Sequence, residues 1–259
     1  MNIIIQDRNV SGIPIIDVYE SDVKEKRPVI LMLHGSGSRK ENFLVMAYDC
    51  VKNGFFVTLF DAYGYGDLKD SRHQMEPGFN KENIDNLLKD YTETSKYINI
   101  VANSYEDNEY VDSNRVALIG VSMGAHTIYY NILKERSPKI KVAVPIIGSP
   151  TWVSFVRSNI ALMSTNNIEI AETDIIKAEE YMKAIEPLNF SSNLANFPLL
   201  MINGIKDEII PINVVRKSFI KLQEDYIDKQ KIKSIEYDVG HTYTWEMLQE
   251  TYKWIKEYI

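Results

Sequence analysis

The sequence predicts an α/β protein in which about eight strands form a mostly parallel sheet, with helices on both faces. Two observations lead to this fold class. Short, nearly continuous apolar runs that end in turn residues alternate with longer amphipathic stretches, and no repeat or linker-like segment interrupts that alternation. Strands of a parallel sheet are buried on both faces and are therefore apolar throughout, whereas the helices that cover them keep one polar face.

The predicted sheet begins with two apolar runs, 3–5 and 13–18, which are joined at Ser11-Gly12 and therefore favour an antiparallel pair at one edge. Six further runs predict the remaining strands, at 28–33, 55–60, 115–119, 142–147, 198–202 and 234–238. Amphipathic stretches predict helices at 42–52, 83–103, 123–135, 213–223 and 243–258. Ligands bind such sheets at the carboxyl ends of the strands, so catalytic residues are expected there.

One stretch, 151–194, breaks the alternation because it contains no convincing strand and has a helical pattern near its end. Long insertions in a compact domain are often active-site lids. We predict a single domain over residues 1–259 with a small helical cap at about 151–194. The large apolar residues before the helix, Trp152, Phe155 and Met163, are expected to line a substrate pocket. The alternative is a helical insertion that only packs.

The composition is that of an ordinary globular protein. The 259 residues are 45% hydrophobic and 25% charged, which excludes disordered and collagen-like chains. The single cysteine, Cys50, excludes an internal disulfide and a cysteine-based zinc site.

The charge pattern argues against nucleic acid or a membrane as a partner. The formal net charge is −7, whereas both of those partners favour basic patches. Charge appears early, at Asp7 and Arg8, so the first residues do not have the pattern of a signal peptide. No apolar run approaches the roughly 18 residues of a membrane span. We therefore expect a cytoplasmic protein that acts on a small molecule. The oligomeric state, including a homodimer, is left open.

The segment Gly120-Val121-Ser122-Met123-Gly124 is the most specific motif in the chain. It lies directly after a predicted strand and directly before a predicted helix. This is the pattern of a nucleophile elbow, a strained turn that exposes a serine hydroxyl above the sheet. The two glycines fit because the elbow brings neighbouring backbones very close. We predict that Ser122 is a nucleophile.

A serine nucleophile needs a base, and two histidines, His126 and His241, follow Ser122 in the chain. With an elbow of this type, the chain order is serine, acid, histidine. His126 lies one helical turn after Ser122, so its ring would project beside the helix, and we interpret it as a packing or surface residue. His241 follows the last strand at the carboxyl edge and is the predicted base.

The predicted acid is Asp207, in the turn after the strand that precedes the one leading to His241. An acid in this place holds the histidine tautomer and stabilises the imidazolium. Glu208 is the competing choice, although a shift of one residue turns the side chain away. Asp225, Asp228 and Asp238 lie within predicted helix or strand bodies and fit less well.

The loop 34–38, His-Gly-Ser-Gly-Ser, follows the first inner strand. In an elbow protein this loop supplies one N–H group of the oxyanion hole, and the residue after the nucleophile supplies the other. We assign these roles to the backbone N–H groups of Ser36, with Gly37 as the alternative, and of Met123. His34 would then orient the loop.

The loop 61–67 closes the next strand and allows three interpretations. Asp61 would pin neighbouring loops through their backbone N–H groups. Tyr63 or Tyr65 would line the site. A phosphate-binding glycine loop is the least favoured, because the lysine and the serine or threonine that such a loop requires do not follow.

Taken together, these motifs resemble the α/β-hydrolase superfamily, and within it the small bacterial esterases of the dienelactone hydrolase and prolyl oligopeptidase-like group. The resemblance covers nearly the whole chain and rests on Leu-His-Gly at 33–35, the Asp and Gly-Tyr-Gly within 61–66, the elbow at 120–124, Pro-Leu-Asn-Phe at 187–190, Asn-Gly-Ile-Lys-Asp at 203–207 and Gly-His at 240–241. Dienelactone hydrolases proper use a cysteine where this chain has Ser122. Prolyl oligopeptidases carry a propeller domain for which this chain has no room.

The resemblance implies a serine carboxylesterase that needs no metal or cofactor and acts on small esters. The apolar cap residues favour short acyl chains. A thioesterase or a small-peptide or amide hydrolase is the alternative within the same chemistry. A hydrolase-fold protein that binds a ligand without turnover is the alternative from another class, and a complete Ser-Asp-His set argues against it.

Overall fold

The computed structural model describes residues 2–69, 81–154 and 172–259, in which eight strands form one sheet. The strands are β1 (Ile3–Val10), β2 (Ile13–Glu20), β3 (Arg27–Leu33), β4 (Phe56–Phe60), β5 (Val111–Val121), β6 (Ile140–Ile146), β7 (Leu199–Gly204) and β8 (Ile232–Tyr237). Their order in the sheet is β1-β2-β4-β3-β5-β6-β7-β8. The predicted α/β class with an eight-stranded, mostly parallel sheet is confirmed.

The first two strands form the predicted antiparallel edge. β1 pairs with β2, β2 pairs antiparallel with β4, and all later pairs are parallel. Ser11 and Gly12 form the connection with φ values of 53° and 88°. Positive φ at both central residues is the geometry of a type I′ hairpin turn. The parallel strands therefore all end at one edge, where Leu33, Phe60, Val121 and Gly204 stand.

Six helices cover the sheet in the described residues: α1 (Leu44–Lys52), α2 (Lys81–Asn103), α3 (Met123–Tyr130), α4 (Glu172–Ile185), α5 (Ile212–Asp225) and α6 (Trp245–Tyr258). The helix predicted over 123–135 is α-helical only to Tyr130 and continues as a π-helical turn, Asn131–Glu135. Asn131 there donates to the carbonyl and the hydroxyl of Ser95 on α2, and Asn193 donates to the carbonyl of Leu133. Partners outside the helix thus bind the Asn131 NH₂ group and the Leu133 carbonyl where the helical hydrogen-bond pattern changes. No helix in the described residues is both long enough and apolar enough to cross a membrane.

The core has two layers, one on each face of the sheet. Alternate residues of β3 point to opposite faces, so Val29 and Leu31 join one layer and Ile30 joins the other. The first layer includes apolar residues of α2, α3 and α5, and the second includes residues of α1 and α6. The two layers hold the carboxyl ends of the strands in place, and the candidate site lies at those ends.

A third, smaller cluster lies apart from both layers. Its buried members come from the loop after β4, from α2, from the start of α3 and from the predicted cap: Ala62, Leu88, Tyr91, Met123, Trp152 and Met182. Ile175 and Ile185 of α4 pack against it, whereas Ile176 and Tyr181 are exposed. The helical pattern in this part of the sequence therefore places one apolar face against the rest of the protein.

Candidate active site

Ser122 stands at a strained corner between β5 and α3. Its backbone has φ 54° and ψ −112°, a combination that few non-glycine residues adopt. A Cβ added to Gly120 would lie 2.5 Å from the carbonyl oxygen of Gly124, and one added to Gly124 would lie 2.6 Å from the carbonyl oxygen of Leu33. Side chains at these two positions would clash with backbone, so the sharp corner requires both glycines.

Three side chains from separate loops form a continuous hydrogen-bonded chain at this corner. Ser122 Oγ lies 2.8 Å from His241 Nε2, and His241 Nδ1 lies 2.7 Å from Asp207 Oδ2. The Asp207 side chain is fully buried, whereas His241 is 21% exposed. The structure therefore brings together the predicted nucleophile, base and acid in the order that proton transfer from serine to histidine requires.

The carboxylate of Asp207 is held by its own loop. Its Oδ1 accepts hydrogen bonds from the backbone N–H groups of Ile209 and Ile210, at 2.9 and 2.8 Å. This leaves Oδ2 for His241, whose Nδ1–H it accepts. Glu208, the competing acid, is exposed. The structure therefore places Asp207, and not Glu208, against His241, and the role of Asp207 as the acid stays a prediction.

The loops that carry the acid and the histidine are joined by backbone contacts. The N–H of Lys206 donates to the carbonyl of Val239 at 2.9 Å. A Cβ at Gly204 would lie 2.5 Å from the carbonyl oxygens of Val239 and Gly240, so only glycine permits this approach. The contact fixes the separation of Asp207 and His241 before any substrate binds.

The loop after β3 lies directly against the serine. A Cβ added to Gly35 would be 3.3 Å from Ser122 Cβ. The Ser38 N–H donates to the Gly35 carbonyl at 3.2 Å, which closes a turn in which Gly37 has φ 71°. Met123 begins α3, where the first N–H groups of a helix have no acceptor within the helix. The two predicted oxyanion donors, the N–H groups of Ser36 and Met123, thus belong to segments beside Ser122, and their role stays a prediction.

His34 orients this loop, as predicted. Its Nδ1 lies 2.8 Å from the carbonyl oxygen of Gly35, to which it donates, and its Nε2 accepts the N–H of Ala62 at 3.0 Å. The ring is buried, and burial lowers its pKa. A neutral ring with the proton on Nδ1 satisfies both contacts. His34 therefore links the loops after β3 and β4.

Asp61 pins the same two loops through backbone N–H groups, as its first interpretation predicted. It accepts the N–H of Lys40 at 2.8 Å and the N–H of Asp67 at 3.0 Å. The buried ammonium of Lys40 lies 2.8 Å from one carboxylate oxygen of Asp61 and 2.5 Å from Asp67. Burial lowers the pKa of Lys40, but its hydrogen bonds to both aspartates outweigh that effect and raise it. A charged pair thus anchors the loop beside the serine.

The two tyrosines of the loop 61–67 point to different places. The ring of Tyr63 packs edge-on against Tyr97 and lies 5.4 Å from Lys89 Nζ, both on α2. The hydroxyl of Tyr65 lies 3.4 Å from Ser36 Oγ, and its ring packs against the third cluster. Tyr65 therefore stands beside the loop that faces Ser122. The part of Tyr63 in a substrate pocket stays a prediction.

Of the predicted cap residues, Trp152 lies in the described structure, whereas Phe155 and Met163 lie outside the described residues. Trp152 is 1% exposed. Its ring contacts Tyr91 and Tyr130, with centroid distances of 4.9 and 5.6 Å. These contacts make Trp152 a core residue of the third cluster, to which Met123 also belongs. Its role in binding substrate stays a prediction.

His126 is a packing residue. It is fully buried behind the elbow, with its ring stacked on Tyr91 at 5.5 Å. Its Nδ1 lies 2.8 Å from the carbonyl oxygen of Ser149, to which it donates. Burial lowers the pKa of His126 to about 4. The imidazole is therefore neutral at physiological pH and connects α3 to the segment that leads into Trp152.

The low pKa of His126 predicts a loss of stability in acid. In the unfolded chain a histidine titrates near pH ~6.5, whereas in the folded protein His126 titrates near pH 4. Between these values the unfolded state binds a proton that the folded state does not, so the free energy of unfolding falls as the pH falls through this window, by about 3 kcal/mol in all. We expect His126→Asn, which keeps a donor for Ser149, to remove most of this dependence. Urea unfolding at pH 7 and 4.5 measures it, and an unchanged difference in the variant would contradict the assignment.

Sequence reasoning missed two residues that position this site. Lys40 forms the buried ion pair with Asp61, and Tyr91 stacks on His126 and contacts Trp152 with its ring tilted. Tyr91 sits in an amphipathic helix, where an aromatic residue indicates no more than burial. Lys40 carried no local signal, because lysine is usually exposed and its partner lies 21 residues away in the chain.

The fold and the candidate site are those of an α/β-hydrolase. The sheet is parallel with an antiparallel edge, and the strained serine follows its fifth strand. The aspartate and the histidine follow its last two strands in the chain. Residues 52–259 match the model of the Prolyl oligopeptidase family. Because this match spans most of the chain, the protein belongs to that family. The resemblance found in the sequence is confirmed.

Two curated proteins are similar to the chain over nearly its whole length. The candidate esterase YitV of Bacillus subtilis (strain 168) is 26% identical over 261 residues, which cover 98% of this chain and 99% of YitV. Esterase YjfP of Escherichia coli (strain K12) is 24% identical over 262 residues, with the same shares of both chains. Neither relative has room for a large additional domain beyond the aligned length.

Solved structures show the same fold. The crystal structure of TT1662 from Thermus thermophilus superposes with a TM-score of 0.76, covering 99% of this chain and 98% of TT1662 at 17% identity. At this level of identity the likeness concerns the fold alone. It supports the strand order and the overall architecture described above.

Proposed function

We propose that this protein is a serine carboxylesterase that hydrolyses small esters with short acyl groups through an acyl-enzyme. The observation that carries the proposal is the unbroken chain from Ser122 Oγ through His241 to Asp207, with distances of 2.8 and 2.7 Å. A protein that only binds a ligand has no need of this series of hydrogen bonds. The names of the two curated relatives, one a candidate esterase and the other an esterase, favour an ester over an amide.

In the proposed mechanism Ser122 Oγ attacks the ester carbonyl while His241 Nε2 takes its proton. Asp207 holds the imidazole with its proton on Nδ1 and stabilises the imidazolium that forms. The backbone N–H groups of Ser36 and Met123 stabilise the oxyanion, and the positive end of α3 adds to that field. His241 then protonates the leaving alkoxide. Water that His241 activates hydrolyses the acyl-enzyme, which releases the carboxylic acid and restores Ser122.

The proposal is tested by measuring kcat/KM for p-nitrophenyl esters from acetate to decanoate, together with labelling by a fluorophosphonate. We expect labelling at Ser122 and the highest kcat/KM for the shortest esters, because Met123, the residue after the nucleophile, belongs to a cluster of bulky buried side chains that includes Tyr91 and Trp152. A thioester and an anilide with the same acyl group serve as comparison substrates. Absence of labelling would favour a ligand-binding protein, and faster thioester turnover would favour the thioesterase alternative.

A further inference from the structure

Two side-chain hydroxyls beside the nucleophile have no part in the mechanism above. Tyr65 Oη lies 3.4 Å from Ser36 Oγ, a distance at which either hydroxyl can donate to the other. Ser36 follows Gly35, the residue whose backbone packs against Ser122. The proposed mechanism uses only the main-chain N–H of Ser36. We call Ser36 Oγ and Tyr65 Oη the hydroxyl pair.

The position of Tyr65 is fixed by its surroundings. Its ring meets the ring of His34 edge-on, with centroids 5.7 Å apart, and packs against the third cluster. His34 is in turn held by its hydrogen bonds to Gly35 and Ala62. A hydroxyl on a ring held in this way is preorganised, so a ligand that binds it need not order the side chain first.

Tyr65 follows β4, whereas His241 follows β8, and these two strands lie on opposite sides of β5, the strand that leads to Ser122. The leaving oxygen must lie next to His241 Nε2, because it receives its proton from that atom. The acyl group then extends away from His241. Tyr65 packs against the same cluster as Met123, the residue that follows the nucleophile, and Trp152, at the start of the predicted cap. An acyl group directed away from His241 therefore extends toward the side of the site on which Tyr65 lies.

We propose that Ser36 and Tyr65 determine substrate specificity by hydrogen bonding to a polar substituent on the acyl group, so that esters of short hydroxy acids are preferred over esters of unsubstituted acids. This inference rests on the proposed esterase function. Each hydroxyl offers one donor and two acceptors, and the side chain of Ser36 is exposed, so the hydroxyl pair can take a substrate hydroxyl as a further partner. A site that hydrogen-bonds a substrate hydroxyl discriminates strongly against the analogue that lacks it, because its own polar groups then lose a partner.

The test compares kcat and KM for ethyl butanoate, ethyl 2-hydroxybutanoate and ethyl 3-hydroxybutanoate, each corrected for its rate of alkaline hydrolysis. We expect the protein to prefer at least one hydroxy ester by about tenfold or more in kcat/KM, the effect of one well-placed hydrogen bond. Tyr65→Phe keeps the ring and removes the hydroxyl, so it is expected to abolish that preference, mainly by raising KM for the hydroxy ester.

Two further variants complete the design. Ser36→Ala alters an exposed side chain, so it keeps the test valid even if Tyr65→Phe fails to fold, and we expect it to reduce the preference as well. Tyr19→Phe removes a phenol hydroxyl at the antiparallel edge, 3.3 Å from Gln6, and serves as the matched control with an unchanged preference.

Three results would overturn the inference. The first is an equal rate for the hydroxy and unsubstituted esters. The second is a Tyr65→Phe variant that lowers kcat/KM for all three esters by the same factor. The third is a preference that follows a hydroxyl on the alcohol instead, measured with 2-hydroxyethyl butanoate. In all three cases ester hydrolysis persists and the proposed function stands, whereas an absence of both hydrolysis and fluorophosphonate labelling removes the proposed function and this inference together.

Discussion

Replacing Ser122 by alanine is expected to lower kcat/KM for every ester by about 10⁴- to 10⁶-fold. Without Oγ no acyl-enzyme can form, and His241 loses the group whose proton it accepts at 2.8 Å. The remaining activity would come only from oxyanion stabilisation and substrate binding. The loss appears in kcat under saturating substrate, because the substitution removes a bond-forming atom and not a binding contact.

The fold of the alanine variant is expected to persist. The strained φ of 54° is set by the close approach of the Gly120 and Gly124 backbones, which the substitution does not alter. Circular dichroism and thermal unfolding measure this directly. Ser104→Ala, at a serine whose hydroxyl donates to the carbonyl of Val101 at the end of α2, is the matched control and should retain activity. Retention of more than about a tenth of the activity by Ser122→Ala would remove the acyl-enzyme mechanism, since loss of a nucleophile costs far more.

The parts of the site that could be predicted from sequence are those with a local signature. The elbow is recognisable because both of its glycines lie within two residues of Ser122 and because a strand and a helix flank it. Chain order then selects Asp207 and His241, since each follows a strand that must end at the same edge. The alternation of side chains at a turn also accounts for Asp207, and not Glu208, lying against His241.

Features that depend on contacts between distant segments could not be predicted in this way. Lys40 is charged and would be expected at the surface, yet it is 3% exposed because Asp61 and Asp67 are held around it. The sequence also left Tyr63 and Tyr65 equivalent. Their separation follows from packing, since one ring meets α2 and the other meets His34.

Element ends differed for a related reason. β1 runs to Val10, five residues beyond its predicted end, because its polar residues face solvent at the sheet edge and interrupt the apolar run. β5 begins at Val111, where pairing with Arg27 of β3 extends the strand over polar residues. Hydrophobic patterns mark the buried middle of a strand, whereas pairing with a neighbour decides where it begins and ends.

Asp207→Asn is expected to lower kcat by about 10⁴-fold while leaving the fold nearly intact. In the protein Oδ1 accepts the N–H groups of Ile209 and Ile210, and Oδ2 accepts Nδ1–H of His241. An asparagine keeps the first contacts through its single oxygen and turns its NH₂ group toward Nδ1. The imidazole then carries its proton on Nε2, so it can no longer accept the proton of Ser122. The expected loss is therefore in kcat, with slower fluorophosphonate labelling and little change in the unfolding temperature.

Glu208→Gln is the matched control for this prediction, because it makes the same carboxylate-to-amide change one residue later on an exposed side chain. We expect its kcat to stay within about threefold of the unmodified protein, since surface substitutions away from the site have small effects. Measuring both variants on one ester, with thermal unfolding beside the rates, separates the two acids. A large loss in Glu208→Gln with near-normal turnover in Asp207→Asn would reassign the acid. Comparable losses in both, accompanied by unfolding, would show that the loop and not the carboxylate is responsible.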